Sequence, residues 1–365
     1  MRTNIPFYRL HNQCLSQTDL AEPAEVVRRF GAVQAQDFAG AKWAVGQRLK
    51  TATEAEIDLA FNEGKILRTH IMRPTWHFVA PADIRWLLKL TAPRVHAANA
   101  YQYRSLDIGP ALISRSQTVL ENALKGGKYL TRGQLVLVLH RAGISSENQL
   151  KITYLILSSE VDGLICSGPR LGKQFTYALL EERVPSVPPL SHADALAEIT
   201  RRYFTSHAPA TLQDFVWWSG LTSADAKSGM EMAGSQLASE TIDGQTYWSM
   251  ECPEIKNERA PLIHLLPDYD EYGVGYADRS LIYDNSHDKR LDGRGSFLAQ
   301  YILVIDGSVM GTWKRTMKKN AVSIEVAPFR ELKKSEARAV HEAGERYGKF
   351  LGLQTLFVDK EQSGE

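Results

Sequence analysis

This sequence lacks long hydrophobic runs and paired cysteines. Its three cysteines, Cys14, Cys166 and Cys252, lie far apart and form no CxxC pair, so neither a disulfide framework nor a thiolate zinc site is indicated. No stretch approaches the ~20 apolar residues of a membrane span, and no charged segment followed by an apolar run opens the chain. These absences predict a cytoplasmic protein that does not associate with membranes.

Several motifs of common enzyme classes are also missing. The chain contains no Walker lysine loop, no GxGxxG after a predicted strand and no GxSxG elbow. The sequence therefore implies no nucleotide or other cofactor.

The composition is that of a folded protein: 44% of the 365 residues are hydrophobic and 23% are charged. This length allows two or three units with cores of their own. The net charge of +1 conceals a local imbalance, because residues 85–183 hold 13 Lys and Arg against 7 Asp and Glu. Such an excess is suited to lining a groove that binds a polyanion.

One arrangement recurs along the chain, in which short helices precede a pair of strands. "KILRTHIMRPTWHFVA" reads as strand, turn and strand, with Pro74 forcing the turn. Residues 114–185 repeat the arrangement as three helices and a basic β-ribbon around Gly168-Pro169-Arg170, which is the winged-helix plan. A fainter third copy ends in the predicted hairpin "SETIDGQTYWSM".

The predicted fold class is α+β, with about three tandem winged-helix units and a β-rich C-terminal unit. The Pro-rich "VPSVPP" marks one boundary, and alternating strands dominate from about residue 255 until a final amphipathic helix. The predicted units are residues 1–110, 111–188, 189–254 and 255–365.

The segment "GAVQAQDFAGAKW" holds two uncharged amides, Gln34 and Gln36, between two helical patterns. Asp37 is a natural N-cap for the second helix, so the segment before it is expected to be extended, with both amides on one side. Two glutamines commonly do no more than cap backbone groups or face solvent. In the functional alternative, paired amides hold a water molecule without acting as strong bases, as a GTPase glutamine orients its attacking water.

"RTHIMRPTWH" concentrates Arg68, His70, Arg73, Trp76 and His77. The histidines are seven residues apart and fall on opposite faces of a strand, so no metal site is predicted. Arginines suit phosphate contacts. An ordinary folded wing with one satisfied histidine explains the segment equally well.

Two later segments carry clustered charge. "LLPDYDEYGVGYADR" offers Asp268, Asp270, Glu271 and Asp278, either as the carboxylate pair of a glycosidase or as acids paired with arginines such as Arg279. "GTWKRTMKK" contains four basic residues and no acid. It forms either a solvated face or a phosphate contact through residues such as Lys314 and Arg315.

Taken together and in this order, "VQAQD", "RTHIMRPTWH", "LLPDYDEYGVGYADR" and "VIDGSVMGTWKR" resemble the bacterial AlkZ-like and YcaQ-like DNA glycosylases over most of the chain. The resemblance implies tandem winged-helix units around a concave basic DNA channel. It also implies excision of alkylated purines, including those in interstrand crosslinks for some members. The family's catalytic Gln-x-Gln or Gln-x-Asp motif falls on Gln34-Ala-Gln36. Asp37 lies one position beyond the acidic variant's carboxylate and does not inherit its role.

The resemblance predicts a monofunctional glycosylase that hydrolyses the N-glycosidic bond of N7-alkylated, bulky or crosslinked purines in duplex DNA. It is expected to act as a monomer at the nucleoid, without metal or cofactor. Gln34 and Gln36 would hold the attacking water and stabilise the sugar cation. The predicted DNA-contacting residues are Arg68, His70, Arg73, His77, Arg170, Lys173, Lys314 and Arg315.

A winged-helix transcription regulator without catalytic activity remains the alternative, and it explains the helices and wings equally well. Several such units without a dimerisation coiled coil or effector domain count against it. A paralogue that binds DNA without turnover is a third reading.

Overall fold

The fold mixes helices and strands along the whole chain. A computed structural model describes residues 5–144, 148–250, 261–291 and 296–358, and all structural statements refer to these residues. Their α-helices are α1 Ile5–Asn12, α2 Pro23–Phe30, α3 Phe38–Gly46, α4 Glu54–Asn62, α5 Pro81–Ser105, α6 Pro110–Leu124, α7 Arg132–Arg141, α8 Gln149–Val161, α9 Leu180–Arg183, α10 His192–Ser206, α11 Leu212–Ser219, α12 Ser223–Ala233, α13 Glu271–Val274 and α14 Lys334–Leu351.

The strands of the same residues form four sheets, with orders β1-β3-β2, β4-β6-β5, β7-β8 and β13-β12-β11-β10-β9. They are β1 Ala32–Gln34, β2 Leu67–Ile71, β3 Thr75–Val79, β4 Leu130–Thr131, β5 Ile165–Ser167, β6 Thr176–Leu179, β7 Ala238–Ile242, β8 Gln245–Ser249, β9 Ile263–Leu266, β10 Ile302–Ile305, β11 Ser308–Met317, β12 Ala321–Pro328 and β13 Gln354–Phe357.

The predicted hairpin around Pro74 is confirmed as β2 and β3. The predicted extended segment before Asp37 is confirmed for Ala32–Gln34, which form β1, whereas Gln36 lies beyond the strand in a bend. The three strands pair antiparallel, with Gln34 opposite His77. Ala35 continues the ladder by donating its N–H to the carbonyl of Trp76 at 2.7 Å. A paired backbone thus holds Gln34 and Ala35, directly before Gln36.

Two buried tryptophans fix the end of β9, where the acidic segment begins. Trp43 in α3 donates its indole N–H to the carbonyl of Leu265 at 2.7 Å, and Trp313 in β11 donates to that of Leu266 at 2.9 Å. Both indoles belong to one apolar core that joins α2, α3 and α4 to the five-stranded sheet and α14. The residues after Leu266 therefore leave the sheet at a position set by the first helices of the chain.

Helix α11 ends where it meets the turn of the β2–β3 hairpin. Gly220 follows this helix with a φ of +70°, a left-handed conformation that favours glycine. A Cβ at Gly220 would also clash with the carbonyl oxygen of Met72. This close approach places the end of α11 against the hairpin turn.

Helix α5 runs for 25 residues and is the longest described helix. No described helix combines the length and apolar character needed to cross a membrane.

Candidate active site

Gln34 is held at both its backbone and its side chain. Its N–H donates to Glu271 Oε1 at 2.7 Å, and its side-chain Oε1 accepts from Arg73 Nη2 at 3.2 Å. Only 9% of the residue is exposed. Because Arg73 occupies the amide oxygen, the NH2 group of Gln34 is the part left to bind another molecule.

Gln36 is exposed, whereas Ala35 before it is fully buried. The Gln36 side-chain oxygen lies 3.5 Å from the backbone N–H of Trp76, at the limit of a hydrogen bond. The two amides therefore differ: Gln34 is anchored, and Gln36 can exchange its weak contact for a ligand.

Arg68 holds the backbone carbonyls of Ala35 and Gln36. Its Nε donates to the carbonyl of Ala35 at 3.0 Å, and its Nη2 lies 3.4 Å from the carbonyl of Gln36. The guanidinium packs 4.2 Å from the ring centre of Trp76 and 4.7 Å from that of Phe175. Burial lowers the pKa of Arg68 to about 10, which leaves the side chain charged at neutral pH. The structure thus makes Arg68 a buried support for the pair, instead of the exposed phosphate contact that the sequence predicted.

Glu271 is the buried anion behind Gln34. Its Oε1 accepts from Gln34, and its Oε2 accepts from Trp218 Nε1 at 3.0 Å and lies 3.3 Å from His207 Nε2. Burial raises the pKa of Glu271, but the His207 contact and the hydrogen bond from Gln34 outweigh it and lower the pKa to about 2. The ionised carboxylate therefore orients the Gln34 peptide.

The acidic segment pairs differently from the sequence prediction. Asp270 forms a buried two-pronged ion pair with Arg48, at 2.7 and 2.9 Å. Arg279, the expected partner, instead donates to the carbonyls of Gly273 and Ala277. Asp270 and Glu271 are thus engaged in internal contacts that hold the segment in place.

His70 and His77 were expected at the DNA surface, and that position is wrong for this structure. His70 is 6% exposed, and its Nδ1 lies 2.6 Å from Glu160 Oε2. His77 is fully buried, with its Nδ1 3.0 Å from the carbonyl of Thr75. Burial lowers the pKa of His77 to about 3, and the charge of Arg73 contributes, so the ring is neutral at pH 7. Both histidines point into the protein because their strands, β2 and β3, pack against other elements.

Arg73 occupies the turn between β2 and β3 and is partly exposed. Besides its bond to Gln34, its Nη1 lies 3.4 Å from the carbonyl of Trp217 at the end of α11. The preceding Met72 has a φ of +64°, a strained conformation for a residue with a side chain. This turn directs Arg73 towards Gln34.

Asp37 begins α3 as the sequence predicts, since its carboxylate accepts from the N–H groups of Ala39 and Gly40, each at 3.1 Å. It also accepts from the hydroxyl of Tyr301 at 2.9 Å. A Cβ at Gly40 would come within 2.9 Å of both Asp37 Oδ2 and Asp268 Oδ1, so only glycine leaves room for the two carboxylates. Asp37 thus caps the helix directly after Gln36.

The predicted basic residues of the second wing occupy two environments. Arg170 packs between Phe38 and Phe175, at 5.2 and 5.3 Å from their ring centres, and its Nη1 lies 3.8 Å from Asp58 in α4. Lys173 is exposed between β5 and β6. The segment between β5 and β6 therefore contacts α3 and α4 through Arg170 and presents Lys173 to solvent.

Lys314 and Arg315 lie on β11 beside a cleft of about 560 Å³. Lys314 is exposed, whereas Arg315 contacts the hydroxyls of Tyr301 and Tyr347. Because Tyr301 also donates to Asp37, Arg315 is joined to the start of α3 through two hydrogen bonds.

Residues 27–350 match the model of the DNA glycosylase AlkZ-like family. The chain belongs to this family. A curated relative named "Interstrand DNA cross-link repair glycosylase", from Streptomyces sahachiroi, is 22% identical over 365 residues, which cover 96% of each chain. The solved structure of Streptomyces sahachiroi DNA glycosylase AlkZ superposes with a TM-score of 0.77 at 18% identity, over 97% of this chain and 98% of that one. The two proteins therefore share a fold.

As an AlkZ-like DNA glycosylase, the protein is an enzyme whose substrate is DNA. Its Gln-x-Gln segment lies in a framework built from three distant parts of the sequence: the first helices and strands, α11, and the segment after β9. Sequence reasoning missed the contacts of Glu271 with Gln34 and of Trp217 with Arg73. Glu271 was visible only as one acid in a cluster, and Trp217 only as half of a Trp-Trp pair.

Proposed function

We propose that this glycosylase is monofunctional and hydrolyses the N-glycosidic bond of N7-alkylated or bulky purines in duplex DNA. Gln34 and Gln36 hold the attacking water near the anomeric carbon. The observation that carries the proposal is the fixed, neutral pair itself: Gln34 is anchored by Glu271 and Arg73, while the exposed Gln36 offers an amide to solvent.

The chemistry suits a pair of neutral amides. An N7-alkylated purine is cationic and leaves readily, which generates an oxocarbenium-like sugar. The enzyme then needs to stabilise this cation and position water, and preorganised dipoles do both. Gln34 donates through its NH2 group, because Arg73 holds its oxygen. Gln36 supplies the carbonyl oxygen that accepts a hydrogen bond from the water.

Crosslinked purines belong to the proposed substrates. A base tied to both strands cannot swing freely into a closed pocket, so an exposed Gln36 suits such a lesion. The printed name of the Streptomyces sahachiroi relative, an interstrand cross-link repair glycosylase, supports this part of the proposal.

The proposal extends to architecture. The three winged-helix units comprise residues 1–110, 111–188 and 189–254, and residues 255–365 form the β-rich unit. Three hairpins, β2–β3, β5–β6 and β7–β8, support this division because each follows a group of helices. Exposed Lys173 and Lys314 contact phosphates along a concave channel. One copy of the chain acts alone, in the cytoplasm at the nucleoid.

The decisive experiment incubates the protein with duplexes that carry either 7-methylguanine or a nitrogen-mustard crosslink, followed by alkali to cut at abasic sites. We expect strand scission above the no-enzyme control at the lesion, whatever the flanking sequence. No scission on either substrate contradicts the proposal. Selective binding to one undamaged sequence, with DNA left intact, would instead identify a transcription regulator, which family membership already disfavours.

A further inference from the structure

Two adjacent tryptophans in α11 have opposite environments. Trp218 is fully buried and donates to Glu271, whereas 46% of Trp217 is exposed. Successive helical residues diverge by about 100°, so the helix can bury one indole and present the next. A large aromatic side chain left this exposed beside a catalytic segment is available for a ligand.

The Trp217 indole is fixed in orientation. Its Nε1 donates to the carbonyl of Val274 at 3.1 Å, in the segment that also carries Glu271. Its own carbonyl lies 3.4 Å from Arg73 Nη1, and the other terminal nitrogen of that guanidinium binds Gln34. The exposed ring is thus connected to Gln34 through a single side chain.

Two guanidinium groups flank this ring. The Cζ atoms of Arg279 and Arg73 lie 5.2 and 5.9 Å from its centre. Backbone carbonyls of Gly273 and Ala277 hold Arg279, and no partner for its Nη2 lies among the described residues. Since Nη2 of Arg279 is buried and a buried donor is costly to leave unpaired, a phosphate oxygen that reaches it would be bound favourably.

The positive charges of Arg73 and Arg279 repel each other. Burial lowers the pKa of Arg279, and the charge of Arg73 lowers it further, against the influence of Asp214 and Asp278. Burial also lowers the pKa of Arg73, whereas Glu271 raises it. An anion bound between the two guanidiniums would relieve this repulsion.

We propose that Trp217, Arg73 and Arg279 form a subsite for the nucleotide that is hydrolysed. The guanidiniums bind its phosphate, and the exposed part of the indole stacks on its alkylated purine. This inference rests on the proposed function and specifies how the lesion is recognised. A nucleotide matches the subsite because it combines a phosphate, which can pair with a guanidinium, with a flat ring, which can stack on an indole.

The test measures binding separately from chemistry. A short labelled duplex carries 7-methylguanine on a 2′-fluoroarabinose, whose electron-withdrawing fluorine slows loss of the base, and the matched duplex is undamaged. Fluorescence anisotropy over a series of KCl concentrations gives the dissociation constant and its salt dependence. Thermal unfolding of each variant verifies that it is folded.

Arg279→Gln should reduce the slope of log K against log[KCl] by about 1, because one phosphate contact is lost. The matched control is Arg338→Gln, an exposed arginine on α14 whose substitution should leave the slope unchanged. An Arg279→Gln slope equal to that of the wild type overturns the phosphate contact.

Trp217→Ala should weaken binding to the lesion duplex by about 10-fold, as expected for one lost stacking contact, and have a smaller effect on the undamaged duplex. Trp217→Phe keeps an aromatic ring and should recover most of the affinity. Tyr101→Ala, at a residue that is 69% exposed on α5, is the control. Equal lesion affinities of the Ala and Phe variants overturn the stacking role.

The two proposals fail in different ways. If these binding effects appear and no alkylated purine is excised, the subsite stands and the proposed reaction is wrong. If excision occurs and the binding effects are missing, the reaction stands and the subsite is wrong.

Discussion

Glu271 lies 237 residues after Gln34 in the sequence, yet its carboxylate accepts the Gln34 backbone N–H at 2.7 Å. The same carboxylate accepts the indole N–H of Trp218 and contacts His207. A single buried side chain thus joins the Gln-x-Gln strand, α11 and the end of α10. We expect the geometry of Gln34 to depend on it.

Replacement of Glu271 by Gln tests this dependence. The new NH2 group would face N–H donors in the core, so we expect the free energy of unfolding to fall by about 1–3 kcal/mol. Base excision should fall as well, because the Gln34 peptide loses its anionic acceptor. Denaturant unfolding and single-turnover excision measure the two effects. Glu342→Gln, at a 63% exposed side chain, is the control and should change stability by less than about 1 kcal/mol. A Glu271→Gln protein as stable as wild type would refute the anchoring role.

The two glutamines should respond differently to truncation. Gln36→Ala should reduce the rate of excision by on the order of 10²–10³-fold, comparable to removing one preorganised donor in other enzymes, with stability within about 0.5 kcal/mol of wild type. Gln34→Ala should reduce the rate of excision by a similar factor. It should also lower the free energy of unfolding, because it leaves the Arg73 guanidinium without its buried partner. Gln245→Ala, at an exposed position of β8, is the matched control. Equal activity in the Gln34 and Gln36 variants and the wild type would refute their catalytic role.

The Gln36→Asp variant tests whether the neutral amide pair limits the enzyme to cationic bases. A carboxylate at this position activates water more strongly than an amide. We therefore expect the variant to gain activity on a neutral purine lesion relative to 7-methylguanine, measured over a panel of duplexes. An unchanged ratio would show that base strength at this position does not set the substrate range.

The Arg68→Lys variant tests whether Arg68 supports the backbone of Ala35 and Gln36 or contacts a DNA phosphate. Lysine keeps the positive charge but lacks the planar guanidinium. It therefore cannot donate to the carbonyls of Ala35 and Gln36 and pack flat on Trp76 at the same time. The structure predicts a lower excision rate with nearly unchanged DNA affinity. A variant with normal excision would show that the positive charge alone is sufficient, as the sequence-based role supposed.

His77 makes stability depend on pH. Its pKa is about 3 in the folded protein and about 6.5 in an unfolded chain, so the unfolded state binds more protons between these values. Protonation of His77 in the unfolded state therefore lowers the free energy of unfolding progressively as pH falls from 6.5 towards 3. His77→Asn removes this dependence and can retain the bond to the Thr75 carbonyl.

The difference in unfolding free energy between wild type and His77→Asn should change by up to about 1.4 kcal/mol per pH unit below pH 6.5. It should stay constant above that pH. Denaturant unfolding across the range measures it, and a constant difference throughout would show that His77 titrates normally.

Local patterns predicted the local structure well. Pro74 and the flanking β-branched and aromatic residues indicated the β2–β3 hairpin, and Asp37 indicated the start of α3, because turns and caps depend on neighbouring residues. The final helix also matches, from Lys334 to Leu351. The 25-residue helix α5 was missed, since Pro93 lies inside it and Pro usually interrupts a helix.

The site was predictable only in part. The motif identified Gln34 and Gln36, but not that Arg73 would hold one amide while the other stays exposed. Glu271 and Trp217 come from segments remote from Gln34, and Arg48 pairs with the equally remote Asp270. A single sequence contains no signal for such contacts. The burial of His70 and His77 depends on packing against other elements for the same reason.

The long separation between Gln34 and Glu271 also affects how the site arises during synthesis. The ribosome makes the Gln-x-Gln strand early, but Glu271, which fixes it, is added 237 residues later. A nascent chain that ends before β9 therefore has the two glutamines without the anion that orients them. The growing polypeptide acquires the complete proposed catalytic centre only when its last quarter is being made, so partial translation products should be inert towards DNA.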